Sequence, residues 1–120
     1  MKVSFDFSGL DKKFSAHALE RARSAAANDA LQIMNTKYVP LLHRDSNTNL
    51  RGLSGKSSDG SFLYWKAVYA KAQFYGIVNG HQVHHYTTPG TSKRWDKRLT
   101  GNKDDMRMVI EAFVKGAEWW

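Results

Sequence analysis

The apolar positions of this chain change period several times, and each change marks an element. Val3, Phe5 and Phe7 alternate with Lys2, Ser4 and Asp6, the period-two pattern of a half-buried strand over residues 2–7. Ser8 and Gly9 break it. From Ala16 to about Lys37 the apolar residues Leu19, Ala22, Ala26, Ala30, Ile33 and Met34 recur at helical spacing. Ser15 is placed to cap this helix, and Phe14 before it can pack on Leu19 as a hydrophobic staple. The stripe is unusually rich in alanine, so the helix can lie close to its neighbour, whether a sheet or another copy of the protein. Pro40 disfavours helix at Val39 and ends the element.

Residues 43–61 are polar and glycine-containing, with Leu50 and Leu53 as their only large apolar residues. A loop, a short strand around residues 50–53 and a turn at Asp59 and Gly60 are expected. Phe62, Leu63, Tyr64 and Trp65 make a strongly β-prone strand running to Lys66. Residues 69–75 fit either a helical turn or a bent strand. Asn79-Gly80 is a strong hairpin signal, joining Ile77 and Val78 to residues 82–86. Further on, Met106, Val109, Ile110, Phe113 and Ala117 form one helical face. Asn102 is its expected cap, and Asp104 and Asp105 suit the positive end of the helix dipole. The order predicts an α+β fold: a small antiparallel sheet with a long N-terminal helix and a C-terminal helix packed on one face. With 120 residues and neither repeat nor linker, one domain is expected.

Composition narrows the chemistry. The chain has no cysteine, which excludes a disulfide framework, a cysteine nucleophile and thiolate zinc sites. No run approaches the length of a membrane span, and MKVSFDFSG has no signal-peptide core. Synthesis in the cytoplasm and no membrane partner are therefore expected. Eighteen basic residues against 11 acidic ones give a net charge of +7, which favours polyanions or acidic protein surfaces as neighbours. The distribution is more telling. From Gly60 to Trp95 there is no Asp or Glu, while Lys66, Lys71, Lys93, Arg94 and three histidines fall inside that span. One region of the surface is expected to be uniformly positive.

A catalytic reading finds little support. A strand puts His81 and His85 on one face and His84 on the other, so the three do not converge on a metal, and His43 lies elsewhere. Nucleophile-elbow and glycine-rich phosphate motifs are absent, and Asp104 with Asp105 is better explained as capping. Neither an enzyme nor a cofactor is expected. The segment YTTPGTSKRWDKRL, residues 86–99, is the most distinctive. It places Trp95 among Lys93, Arg94, Lys97 and Arg98, with Asp96 as the one acid. In one reading the cations neutralise phosphates while Trp95 or Tyr86 stacks on a base, as in a nucleic-acid-binding protein or an RNA-cleaving toxin. In another the cations form a solvated loop and Trp95 is a lid on the core. In a third Trp95 is exposed and waits for a partner.

Several segments fall into a familiar order. The alanine-rich helix ends in Val39-Pro40, and a polar loop leads to Leu50-Arg51-Gly52. Then come WKAVYAKAQFYG (residues 65–76), YTTPGTSKRWD (residues 86–96) and a C-terminal helix ending in G-A-x-W. Over nearly its whole length the chain resembles the minor capsid proteins of long-tailed bacteriophages of Gram-positive hosts. These are similar to the wider group of neck, or tail-completion, proteins. Members of that group carry a proline, a short threonine-glycine turn and Leu-Arg, where this chain has the longer LLHRDSNTN. The resemblance implies a structural virion protein, with no catalysis and no cofactor. It further implies a homo-oligomeric ring in the neck, between the DNA-filled capsid and the tail, touching head-closure or adaptor and tail-terminator proteins. On this view Tyr86, Pro89, Gly90, Lys93, Arg94, Trp95, Lys97 and Arg98 form an intersubunit or partner interface. Trp95 anchors it, and Arg94 and Arg98 pair with acids on a neighbour. His43, Arg44 and Arg51 face the channel or a partner. The acid-free span faces either an acidic partner ring or genomic DNA, held without sequence preference.

Overall fold

A computed structural model of the chain describes residues 1–5, 15–40, 49–78, 80–82 and 91–118. Its elements are β1 (Lys2–Val3), α1 (Ala16–Lys37), β2 (Ser54–Lys56), β3 (Leu63–Trp65), α2 (Ala70–Tyr75), β4 (Ile77–Val78), β5 (His81–Gln82), α3 (Trp95–Thr100) and α4 (Lys103–Glu118). The fold is α+β, as the order of patterns predicts.

Helix α1 begins where its cap dictates: the Ser15 hydroxyl accepts from the Ala18 amide at 3.3 Å. It ends with the amides of Tyr38 and Val39 both donating to the Met34 carbonyl, just ahead of Pro40. Its buried side is mostly alanine, with Ala22, Ala26 and Ala30 almost without exposure. The neighbour that this stripe approaches is α4. A Cβ on Gly116 of α4 would lie 2.8 Å from the Arg21 carbonyl oxygen and 3.0 Å from the Ala22 Cα. The two backbones therefore meet with no side chain from α4 at this point and only the Ala25 methyl beside it from α1. Arg21 reaches across the contact, donating from its guanidinium to the carbonyls of Gly116 and Ala117, each at 3.3 Å. Those carbonyls belong to the last turn of α4, where intrahelical donors run out.

Strands β1, β3 and β2 form an antiparallel sheet in that order, with Val3 opposite Leu63 and Gly55 opposite Tyr64. Leu63 and Trp65 are buried and Tyr64 between them is half-buried, so alternation turns one face to the core. The Trp65 indole N–H is satisfied by Asn35 Oδ1 at 3.1 Å, and the Asn35 amide donates to Ser54 Oγ at 2.8 Å. Sheet and α1 are thus tied by a polar bridge inside an apolar layer. The turn joining β2 to β3 is fixed by Ser61 and Ser57, whose hydrogen bonds hold the Asp59 carboxyl down at about 2. Gly60 in that turn has φ +74, and a Cβ there would sit 2.5 Å from the Ser24 amide nitrogen of α1. Only glycine satisfies both the backbone angle and the close approach.

Four local expectations are corrected. Residues 50–53 are a turn, not a strand, and the strand begins at Ser54. Asn49 is the cause: its side chain accepts from the Gly52 amide at 2.6 Å and its carbonyl accepts from Leu53, closing a local turn. Strand β1 stops at Val3 with Ser4 and Phe5 outside it, and β3 leaves out Phe62 and Lys66. In α4, Ile110 is 40% exposed and falls off the buried face. Residues 69–75, readable two ways, form α2. It ends on Gly76 at φ 73, a left-handed C-cap that leads into the β4–β5 hairpin. Phe14 lies outside the described residues, so the staple on Leu19 does too.

Candidate interaction surface

The basic segment after residue 90 is not a loop around a stranded tryptophan. Residues 95–100 form α3, and Trp95 has no exposure at all. The expectation of an exposed anchor is corrected. Positions 95 and 99 are one turn apart, so a single helical turn carries Trp95 and Leu99 inward and leaves Lys97 and Arg98 outside. Trp95 lies 5.5 Å from Trp65 and 4.9 Å from Phe74, centroid to centroid, in tilted and edge-on packing. Its indole N–H has no hydrogen-bond partner among the described residues.

Arg94 makes this entry possible. It takes the left-handed conformation, φ 49, and its amide donates to the Phe74 carbonyl at 2.8 Å. Its guanidinium grips Asp96 of the same chain through two hydrogen bonds, 3.0 and 2.9 Å, and lies over the Phe74 ring. Burial pushes the Asp96 carboxyl up, but the Arg94 hydrogen bonds, the backbone amides of Lys97 and Asp96 and the Arg94 charge together outweigh it and hold it below the ordinary range. The Arg94 guanidinium therefore pairs within the chain, where a neighbour's acid was expected, because Asp96 stands one position past the buried Trp95. Arg98 donates to Ser92 Oγ at 2.6 Å and lies 4.9 Å from the Tyr38 ring. Lys93 and Lys97 stay exposed. Arg51 spends its Nε–H on the Val39 carbonyl at 2.9 Å. Tyr86, Pro89, Gly90, His43 and Arg44 lie outside the described residues, as do His84 and His85. His81 is exposed in β5.

A second polar cluster escapes the sequence reading. Asp105, only 2% exposed, accepts from Lys37 Nζ at 2.6 Å and from the Tyr38 hydroxyl, and Asn102 reaches the same hydroxyl at 3.3 Å. Burial would raise the Asp105 carboxyl. Hydrogen bonds from Lys37 and Tyr38, with the Lys37 charge, overcome that and lower it. Asn102 also caps α4, accepting from the Asp105 amide at 3.1 Å. The pattern reading gives Asp105 to the helix dipole alone. The signal for more is that residues 105, 109, 113 and 117 fall on one face, so this acid shares the buried side.

Among the described residues, the exposed large apolar ones are Met108 and Ile110 on α4 and three others that fall close together in sequence. Val68 is 98% exposed, Tyr75 49% and Ile77 54%, while Ala70 and Phe74 of the same segment are buried. Exposed Lys66 and Lys71 stand among them. All lie in the acid-free span, within the WKAVYAKAQFYG segment or next to it. Their spacing was legible in the sequence, but helix and strand readings of residues 69–75 would place them on different faces. An open groove of about 710 Å³ between α1 and α4 is lined by Arg21, Ser24, Asn28, Asp29, Lys56 and Lys115 among others. Two of its three cations are already used: Arg21 holds the α4 carbonyls and Lys56 donates to Ser24 Oγ. Among the described residues no group of His, Asp or Glu is placed to hold a metal ion, and no helix is long and apolar enough to cross a membrane.

The described residues thus combine a closed aromatic core with a basic exterior and exposed apolar side chains. No curated protein and no solved structure matches the chain. The model of one family, described as minor capsid protein, matches residues 1–117. By that match, which spans all but the last residues, the chain belongs to the minor capsid protein family and is a structural protein of the bacteriophage virion.

Proposed function

We propose that this minor capsid protein forms a ring in the neck of a long-tailed phage of a Gram-positive host, joining the DNA-filled capsid to the tail without catalysing a reaction. Its neighbours would be the head-closure or adaptor protein on one side and the tail-terminator protein on the other. The observation that carries the reading is the family match over residues 1–117. The order of segments from the alanine-rich helix to the tryptophan-containing C-terminal helix agrees with it. Lys93, Lys97 and the outer edge of Arg98 would meet a neighbour, with Tyr86, Pro89 and Gly90 leading into that contact. Trp95 and Arg94 would support the surface from within. Arg51, with His43 and Arg44, would face the channel or a partner ring. DNA passing the ring would be held weakly and without sequence preference, through charge alone.

Deletion of the gene in the encoding phage tests this. The expected result is filled heads and separate tails, rejoined when the gene is supplied in trans, with the chain located at the head–tail joint by electron microscopy of labelled particles. A chain spread over the capsid shell, with tails attached in its absence, would refute the neck assignment.

A further inference from the structure

We infer that the outer side of α2, continued by the β4–β5 hairpin, is a docking face for a different, acidic protein of the virion. The inference rests on the reading of the chain as a virion component held against a partner. Lys71 and Tyr75 stand four apart on one side of α2, with Val68 in the turn that leads into the helix and Ile77 just past its Gly76 cap. Val68, Lys71, Tyr75 and Ile77 are all exposed, whereas Ala70 and Phe74 on the inner side are buried. Val68, Tyr75 and Ile77 are therefore apolar groups left uncovered within and on either side of α2. Within the described residues, the strands of the hairpin that follows are two residues each. A two-stranded ribbon has marginal stability in water by itself, and exposed His81 and Gln82 add little apolar cover. A partner laid across Ile77 would bury this ribbon.

Charge selects the partner. Lys66, Lys71 and Lys93 are exposed, and Arg94 lies 5.9 Å from the Tyr75 ring. No acid occurs anywhere from Gly60 to Trp95. A surface that combines tyrosine, arginine and aliphatic groups under one sign of charge suits a protein of opposite sign. A phosphate backbone would satisfy the lysines but leave Val68 and Ile77 in water. A second copy answers poorly as well. The exposed acids of α4, Asp104 and Glu111, alternate with Arg107 and Lys115, so that side does not complement a purely cationic one.

Photocrosslinking tests the face directly. A benzophenone amino acid replaces Val68 in particles assembled in cells, with the same probe at exposed Met108 on α4 as the comparison. The expected product joins position 68 to a different virion protein whose sequence carries net negative charge. A product with a second copy, with DNA or with a neutral or basic protein would overturn the inference, and so would no product at position 68. Alongside it, Lys71→Glu should lower incorporation into particles by about tenfold or more, since like charges facing across an interface repel strongly. Lys71→Arg should restore it. Lys71 is exposed, so both variants should melt like the wild type; normal incorporation of folded Lys71→Glu would refute the assignment. If imaging put the chain in the shell, the neck reading would fall, while a crosslink to an acidic protein would still establish the docking face.

Discussion

At the scale of single residues, the decisive side chain is Trp95. Full burial against Trp65 and Phe74 makes it part of the core. Trp95→Ala should lower the stability of the isolated chain by about 3–5 kcal/mol, read from urea unfolding. Trp95→Phe should cost much less, because it keeps an aromatic ring and removes an indole N–H without a described partner. An unchanged unfolding midpoint for the alanine variant would contradict the core placement. Asp105 gives a pH-dependent counterpart. Its carboxyl is lowered in the folded state from an unfolded value of about 3.9. The unfolded chain therefore binds the proton more readily. The stabilisation is complete above that value and is lost as pH falls through the folded one. At neutral pH, Asp105→Asn should cost about 1.5–3 kcal/mol, the usual contribution of a hydrogen bond to a charged group. Below about pH 4 its melting curve should converge on that of the wild type; a gap that stayed constant down to pH 2 would rule out this role for the carboxylate.

Between elements, the closest approach is that of α1 and α4 at Gly116. Alanine there gains about 1 kcal/mol of helix propensity over glycine. Against it stands a Cβ that would lie 2.8 Å from a backbone carbonyl and 2.9 Å from the Ala25 Cβ. Backbone cannot turn aside as a flexible side chain can, and overpacking typically costs about 1–3 kcal/mol. Gly116→Ala should therefore destabilise the chain in thermal melting despite the better helix former, and Gly116→Val should do so more strongly. A stabilised alanine variant would show the helices free to separate. Elements of this kind were largely legible in the sequence. Ser15 and Pro40 bracket α1, Asn102 starts α4, and Asn79-Gly80 lies between β4 and β5, because caps and turns act through neighbours in the chain. Helix α3 is hard to read from the apolar pattern for a physical reason: it is only six residues long and mostly polar, and the four-residue step from Trp95 to Leu99 is its one apolar signal. The strand misplaced to residues 50–53 fell to Asn49, whose side chain closes a turn that apolar pattern cannot reveal. The Lys37–Tyr38–Asp105 cluster joins residues 67 and 68 positions apart, beyond any local pattern.

For the molecule as a whole, charge sets the terms of assembly. Every copy carries +7, and repulsion between copies acts within a Debye length, about 8 Å at physiological salt. Exposed apolar residues such as Ile77 and Met108 offset it only locally. The purified chain should sediment mainly as monomer at micromolar concentration and associate further as salt screens the charge. A stable closed ring from pure protein at low salt would show that no acidic template is needed. The meeting of α1 with α4 has a kinetic consequence as well. Arg21 and Gly116 are 95 positions apart, so the principal helix contact closes nearly the longest loop the chain allows. Loop-closure entropy rises slowly with length, which leaves the final stability little affected, but folding rates fall as contacts become more distant in sequence. A nascent chain holding α1 and the small sheet would still lack Val109, Phe113 and Ala117. Until α4 arrives, the alanine stripe has nothing to lie against, and the chain waits half-made for its last helix.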